Sequence, residues 1–588
     1  MEFIAHNLAP IMFAGLICFL LVGFPVAFSL GACGLFFAFI GIELNVLPEA
    51  LLQALPLRIY GIMQNDTLLA IPFFTLMGLI LERSGMAEDL LDTIGQLFGP
   101  IRGGLALAVI FVGALLAATT GVVAASVISM GLISLPIMLR YGYDRRLAAG
   151  VIAASGTLAQ IIPPSLVLII IADQLGRSVG DMYKGAFLPG LMLTGFYASY
   201  VILLAVIKPQ WVPALPPEAR TLREDNGKSG VPSLLVLTAI CTAASIYVAK
   251  NMPALHTWWS GEAVDKVALD ETIVVSMCFG VALAFVAASF NKITRLGLLS
   301  RAAERVTFAL IPPLLLIFLV LGTIFLGVAT PTEGGAMGAL GAIIMAVIRG
   351  RLSMSLLKQA LNTTTKLSCF VVFILVGATI FGLTFQGVDG PLWVEHLLSG
   401  LPGGQLGFLI VVNIMVFFLA FFLDFFELSF IVVPLLAPVA DKLGIDLIWF
   451  GVLLAINMQT SFMHPPFGFA LFYLRSVAPA KEYMDKVTKK MIAPVTTTQI
   501  YWGAIPFLCI QILMVALVIT FPGIVSSGLD KAEVYDLDKV RLEMEANMPA
   551  PMEQVDPTAG MPGSEAPAED DPLKAMQESL SQDAEKKN

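Results

Sequence analysis

The chain has 588 residues, of which 57% are hydrophobic and only 13% charged, and its mean hydropathy is +0.87. A soluble domain carries about 25% charged residues, so this composition excludes a water-soluble enzyme or nucleic-acid-binding protein and describes a membrane protein. The charge is also segregated: residues 530–588 hold 15 acidic and 6 basic side chains, net −9, and the remainder balances at 28 of each.

A bilayer span needs about 20 apolar residues in helix. In chain order, such runs occupy 8–23, 25–42, 104–138, 147–173, 184–207, 231–250, 271–290, 307–326, 330–348, 404–438, 448–474 and 500–522. The first reads as a retained helix, because neither a basic leader nor a small-residue cleavage site accompanies it. Two further apolar pieces, 50–82 and 352–386, are interrupted by polar residues and read as re-entrant hairpins, with Asn65-Asp66-Thr67 ahead of Pro72 and Asn362-Thr363-Thr364-Thr365 ahead of Ser368. The six cysteines stand singly in apolar stretches and read as packing hydrophobes, not as a disulfide framework or a metal site.

Basic loops face the cytoplasm. Four clusters qualify: Arg140/Arg145/Arg146, Lys292/Arg295/Arg301/Arg305, Arg349/Arg351/Lys358 and Arg475/Lys481/Lys486/Lys489/Lys490. Threading the spans puts all four on one side. The same threading puts 44–49, 252–265, 441–446 and both chain termini on the other.

The chain repeats itself. At a shift of 302, Gly85, Pro100, Pro136, Gly142, Asp144, Pro163 and Pro164 fall on Gly387, Pro402, Pro438, Gly444, Asp446, Pro465 and Pro466. At a shift of 304, Gly23, Gly31 and Gly34 fall on Gly327, Gly335 and Gly338. The threading gives the two copies opposite orientations, with Arg145 inside and Asp446 outside. This predicts an all-α polytopic membrane protein built from inverted repeats, with broken helices and two re-entrant hairpins, which is the plan of many secondary transporters. Its parts are a first half (1–207), a linker insertion with two extra transmembrane helices (208–304), a second half (305–524) and an acidic disordered tail (525–588).

Polar residues at membrane depth are costly and mark function. Ala118-Thr119-Thr120-Gly121 breaks the run 104–138, and its hydroxyls and freed carbonyls are oxygen ligands suited to Na⁺. The equivalent break in the second half is Leu423-Asp424-Phe425-Phe426-Glu427. Asp424, embedded among phenylalanines, needs a cation, a proton or a basic partner. The Pro163-Pro164 and Pro465-Pro466 pairs unwind their helices and release backbone groups. The polar residues ahead of them, Thr157, Asn457, Gln459 and Thr460, are candidate substrate contacts, and Thr157 superposes on Gln459 at the 302 shift. His464 reads as a proton carrier or as a partner for a freed carbonyl. No phosphate-binding loop, zinc motif or nucleophile elbow occurs, so energy must come from an ion gradient or a partner.

Several of these stretches resemble the large membrane subunit of tripartite ATP-independent periplasmic (TRAP) transporters. They are Leu69-Ala70-Ile71-Pro72-Phe73-Phe74, Gly142-Tyr143-Asp144-Arg145-Arg146, Ile161-Ile162-Pro163-Pro164-Ser165, Gly327-Val328-Ala329-Thr330-Pro331-Thr332-Glu333, Leu443-Gly444-Ile445-Asp446 and Pro465-Pro466-Phe467-Gly468. The resemblance implies an elevator-type carrier in the bacterial inner membrane, coupled to Na⁺ and importing a small organic anion. It also implies a periplasmic substrate-binding protein and a separate small four-helix membrane subunit as partners. The family's sodium ligands map onto Thr120, Gly121, Ser165 and Asp424. A self-sufficient symporter without a binding protein is the alternative, and a membrane enzyme built on Asp424 and Glu427 is a more distant one.

Overall fold

The computed structural model describes residues 2–529, apart from 122, 223, 225–229, 262–266, 268, 296 and 486. Lys486, parts of the 208–228 linker and of the 252–265 loop, and the tail from 530 therefore lie outside the described residues. Nine helices are long and apolar enough to cross a membrane, and two bent helix pairs bring the total to as many as eleven among the described residues.

Lateral contacts sort the loops into two faces. On one face Arg140 pairs with Asp485 at 2.9 Å, Arg305 with Asp92 at 2.6 Å and Arg349 with Asp89 at 3.3 Å. The linker runs across this same face: Trp211 accepts from the Asp144 amide, Leu215 donates to Gly99, and Glu224 accepts from the Arg301 amide. The described members of the four basic clusters thus share one side, the cytoplasmic one. Burial alone would raise the Asp485 carboxyl, but hydrogen bonds from Thr488 and the Arg140 guanidinium hold it down to about 2, so this ion pair is intact at cytoplasmic pH. The opposite face carries Asn65–Asp173, Arg177–Asp441 and Lys442–Glu395.

Which segments cross differs from the expectation in each half. The stretch 352–386 is not a hairpin but part of one unbroken helix, Met354–Gly387, packed along Val26–Glu43. Thr363 and Thr365 do not break it, because their hydroxyls bond back to the Gln359 and Leu361 carbonyls one turn earlier. The piece 50–82 is bent by 47°, and its inner part Ala70–Arg83 crosses from the Asn65 face to the Asp89 face.

The true hairpins are 104–140 and 404–442, expected to be crossings. In the first, the Leu105 amide donates to the Tyr143 hydroxyl at 3.2 Å, so the start of Gly104–Thr120 lies beside the end of Val123–Arg140. In the second, Gln405 Nε2 donates to the Leu443 carbonyl at 2.7 Å, joining the start of Gly404–Leu419 to the end of Val433–Lys442. In each case the two arms begin and end side by side, so each goes in and returns. Each half exchanges one crossing for one hairpin, so the basic clusters and 441–446 keep their sides, while the segments between the exchanged pieces, 84–103 and 388–403, change face.

The first hairpin enters from the cytoplasmic face and the second from the outer face. Between them lie two broken helices, Arg145–Thr157 with Leu166–Gln174 and Leu447–Met458 with Phe469–Val477. The repeated Gly-x-Asp motif starts both. Gly142 and Gly444 take left-handed φ of 83° and 70°, and Asp144 and Asp446 then cap the helices through their side chains. These two helices are the most buried part of the molecule, and they meet where Gln459 Nε2 donates to Thr157 Oγ1 at 3.1 Å. The two partners are the residues that the 302 shift equates.

Two boundaries move slightly. The second half extends past 524, because Val525 is fully buried against Gly185, and the helix Arg301–Phe325 begins inside the insertion's assigned range.

Single cysteines at Arg102 and Tyr141 should label from the cytoplasmic side, and those at Gln405 and Lys442 from the outer side. Opposite-side labelling within either pair would restore the crossing topology. Cysteines at Arg145 and Asp446 should label from opposite faces, as the inversion requires.

Candidate functional site

The two hairpin tips meet at a cavity of about 400 Å³ near mid-membrane. Gly121, Val123 and Ala124 reach it from the first tip, and Asp424, Phe425, Phe426 and Glu427 from the second. The broken helices add Gln160, Leu166, Phe462, Phe469 and Tyr473, and the long helix Met354–Gly387 closes one side with Leu367 and Phe370.

Each tip sits against the proline break of its own half. Gly121 has a left-handed φ of 58°, and a Cβ there would lie 3.6 Å from the Pro164 carbonyl oxygen and 3.3 Å from Leu166 Cγ. The second tip packs by rings: Phe421 stacks on His464 at 4.3 Å, and Phe425 lies 5.8 Å from Phe462. His464 is fully buried between Phe421 and the edge of Phe417, away from the cavity lining.

Asp424 ends the second break with a capping box. Its Oδ1 accepts from the Glu427 amide at 2.9 Å, and Glu427 Oε2 accepts from the Asp424 amide at 3.0 Å. The helix then runs through a π-helical turn, Leu428–Val432, before Val433–Lys442; such turns are frequent at functional sites.

Four helices start at this cavity. Val123, Leu166, Phe425 and Phe469 are each the first residue of a helix, and all four line it. Local caps take some of their end amides, Glu427's through Asp424 and Leu168's through Ser165, and the positive dipole ends make the centre attractive to an anion. No Lys or Arg stands among the lining residues, so backbone alone supplies the positive potential and two carboxylates oppose it.

The expected site residues divide into two groups. Gly121 and Asp424 line the cavity. Thr120 ends the helix beside it, with its side chain outside the described atoms. Ser165 stands one residue behind the wall, where its hydroxyl donates to the Gln160 carbonyl at 2.6 Å. Thr157, Asn457, Gln459 and Thr460 are brought together at the centre of the molecule but do not line the cavity. Thr157 bonds to Ala154, Asn457 to Asn413, and Thr460 to the Asn457 carbonyl. Gln160 was absent from the expected set, although it lies three residues ahead of Pro163 and its Oε1 is buried with no hydrogen-bond partner. Phe370 and Tyr473 carried no signal, since an apolar ring in a span reads only as packing.

Asp424→Asn keeps the capping oxygen and removes the charge, so thermal stability should stay within about 0.5 kcal/mol of the parent. Asp424→Ala removes the cap and should cost about 1 kcal/mol. Gly121→Ala forces a side chain into a left-handed residue, at about 1–2 kcal/mol. Unfolding midpoints of the three purified variants check this order, and equal loss in Asn and Ala would mean that charge, not capping, holds the tip.

A sequence profile described as "Tripartite ATP-independent periplasmic transporter, DctM component" matches residues 13–264 and 266–524. The chain is 27% identical over 481 residues to the C4-dicarboxylate TRAP transporter large permease protein DctM of Rhodobacter capsulatus, covering 79% of this chain and 89% of that one. It is 26% identical over 486 residues to the isethionate TRAP transporter permease protein DctMQ of Oleidesulfovibrio alaskensis, covering 82% and 63%. Over 460 residues it is 23% identical to the sialic acid TRAP transporter permease protein SiaT of Haemophilus influenzae, covering 78% and 59%. Among solved structures, the Alcanivorax borkumensis YdaH transporter aligns over 80% of this chain and 88% of its own, with 12% identity and a TM-score of 0.47. The three sequence relatives are named as permeases and not as enzymes, and the many apolar helices make this a multi-pass protein of the bacterial inner membrane. The chain belongs to the DctM component family, the large permease subunit of tripartite ATP-independent periplasmic transporters.

Proposed function

We propose that this permease is a sodium-coupled, elevator-type importer of a small organic anion, which a periplasmic binding protein delivers and a small four-helix subunit helps to brace. The observation that carries this reading is the convergence of four helix N-termini on a cavity lined by two carboxylates and no cationic side chain. Backbone amides bind an anion; each charged carboxylate beside it repels it by about 3 kcal/mol at ~5 Å for an effective dielectric of ~20. A cation beside Asp424 would cancel that repulsion, which makes anion binding depend on cation binding. This is coupling in thermodynamic form: each ligand raises the affinity for the other.

The oxygens at hand suit Na⁺, a hard cation. Asp424, Gln160 and the freed carbonyls near Gly121 and Pro164 are the donors within the cavity wall, with Thr120 and Ser165 as their neighbours. In this reading Thr157 and Gln459 hold the two broken helices together as they move, while Asn457 and Thr460 support the second break. Any substrate contact by these four would then require the cavity to deepen during the cycle.

Proteoliposomes containing this chain, its small subunit and a cognate binding protein should accumulate substrate only with an inward sodium gradient. Replacing sodium by potassium should stop uptake, and omitting the binding protein should lower it to background. Uptake that persists in potassium would favour proton coupling, and uptake without the binding protein would favour a self-sufficient symporter. Asp424→Asn should abolish uptake and shrink the sodium-induced rise in unfolding temperature. Normal transport by that variant would make Asp424 a purely structural cap.

A further inference from the structure

The two hairpins are seated on their broken helices in different ways. In the first half the backbones lie flush. A Cβ at Gly156 would fall 2.3 Å from Val127 Cγ2, and one at Gly113 would fall 2.5 Å from Ser155 Cβ. Neither contact leaves room for a side chain. At the 302 shift these glycines become Met458 and Met415. Met458 Sδ accepts from the Ser429 hydroxyl at 3.6 Å, and Ser429 is the equivalent of Val127. The same contact is thus made through a flexible thioether, which re-packs when its neighbour shifts.

The second hairpin is held at two points. Asn457 Nδ2 donates to the Asn413 carbonyl at 2.7 Å and to Asn413 Oδ1 at 2.9 Å, anchoring the arm Gly404–Leu419 one turn before Phe417. Beyond that anchor the His464 ring holds the tip, stacked on Phe421 at 4.3 Å and met by the edge of Phe417 at 4.3 Å. His464 is fully buried, yet neither ring nitrogen completes a hydrogen bond; the Ala420 carbonyl, at the end of the arm, is the acceptor beside it. Burying unsatisfied nitrogens costs free energy, which the ring contacts offset only while the tip is down. Lifting the tip exchanges the rings for water, which brings its two positions close in free energy. On the return arm, Pro434 has no N–H to give the π-helical turn Leu428–Val432 ahead of it, and the arm can bend at that weakly bonded junction. The first half has no such clamp: Leu115, Thr119 and Ile162 stand where the second has Phe417, Phe421 and His464.

We propose that the second hairpin is the gate of the mid-membrane cavity and that His464 is the positioning residue that holds it shut. Hinged at Asn413 and at Leu428–Val432, its tip swings away from the first tip, which stays seated. The cavity then opens toward the outer face, from which this hairpin enters. This gate rests on the reading of the cavity as the importer's substrate site, while its opening needs neither sodium nor substrate.

Ala124 lies on the first tip and lines the cavity, so a single cysteine there, in a background without the six native ones, reports opening. The full-length protein in detergent, free of sodium and substrate, is labelled with a hydrophilic maleimide. His464→Ala removes the clamp and should raise the labelling rate about fivefold. His464→Phe keeps the rings, removes the buried nitrogens and should lower the rate below that of the parent. Phe421→Leu should act as His464→Ala does, and it supplies the result if that variant does not fold. Ile162→Ala, at the matching position of the first half, should leave the rate unchanged. Rates that do not differ from the parent, or that rise in both His464→Ala and His464→Phe, would overturn the proposal. An equal rise in Ile162→Ala would overturn it too, since the first hairpin would then open as readily. Uptake driven without sodium would count against the sodium coupling and not against the gate, which the labelling rates decide alone.

Discussion

Hydrocarbon offers no hydrogen bonds, so a helix that stops at membrane depth must have its end groups satisfied by the protein itself or by what the protein binds. This chain stops helices at that depth in each half, at both hairpin tips and at both proline breaks. Local chemistry meets part of the demand: the Asp424–Glu427 capping box at one tip, the left-handed Gly121 at the other, and Ser165, whose Oγ accepts from the Leu168 amide at 3.4 Å. The starts of four helices lie along one cavity. Much else in the fold serves to keep these ends away from lipid, which is why the broken helices lie at the centre and the unbroken ones around them.

The internal duplication makes this arrangement self-consistent. Inverting the second copy brings its hairpin in from the opposite face, so the tips meet tip to tip at mid-membrane. Equivalent residues of two inverted copies can touch only near their shared axis. Thr157 and Gln459 do touch, and Gln511 links Thr157 to the Tyr197 hydroxyl. The copies have diverged most at the tips themselves: the first presents Gly121 and the second Asp424 with its phenylalanines. One scaffold symmetry thus supports two chemically different halves of one site.

Charge is used in opposite ways at two depths. At mid-membrane, helix ends supply the positive potential and the Asp424 and Glu427 carboxyls oppose it, with no Lys or Arg among the lining residues. At the cytoplasmic rim, arginine side chains supply it directly, Arg349 and Arg351 paired with Asp89, Arg305 with Asp92 and Arg140 with Asp485. Side-chain cations tolerate the rim because water and head groups solvate them; they are expensive in the core.

Composition, spans, loop charge and the 302 shift were legible in the sequence because each is a local or periodic property. Loop charge sorted the faces correctly, and Gly-x-Asp and Pro-Pro marked the starts and breaks of the central helices. The place of Asp424 at the second break was legible too, since a carboxylate in an apolar run is conspicuous on its own. The division into crossings and hairpins was not. A run of some 35 apolar residues suits one kinked crossing or two short helices folded back, and only a contact between its ends, such as Leu105 with Tyr143 or Gln405 with Leu443, distinguishes them. The threonines of 362–365 looked like a break because the sequence does not say whether a hydroxyl bonds its own helix or a neighbour. The cavity wall likewise awaited the tertiary structure, because Gln160, Phe370 and Glu427 come from three separate segments that only packing against one another brings to a single point.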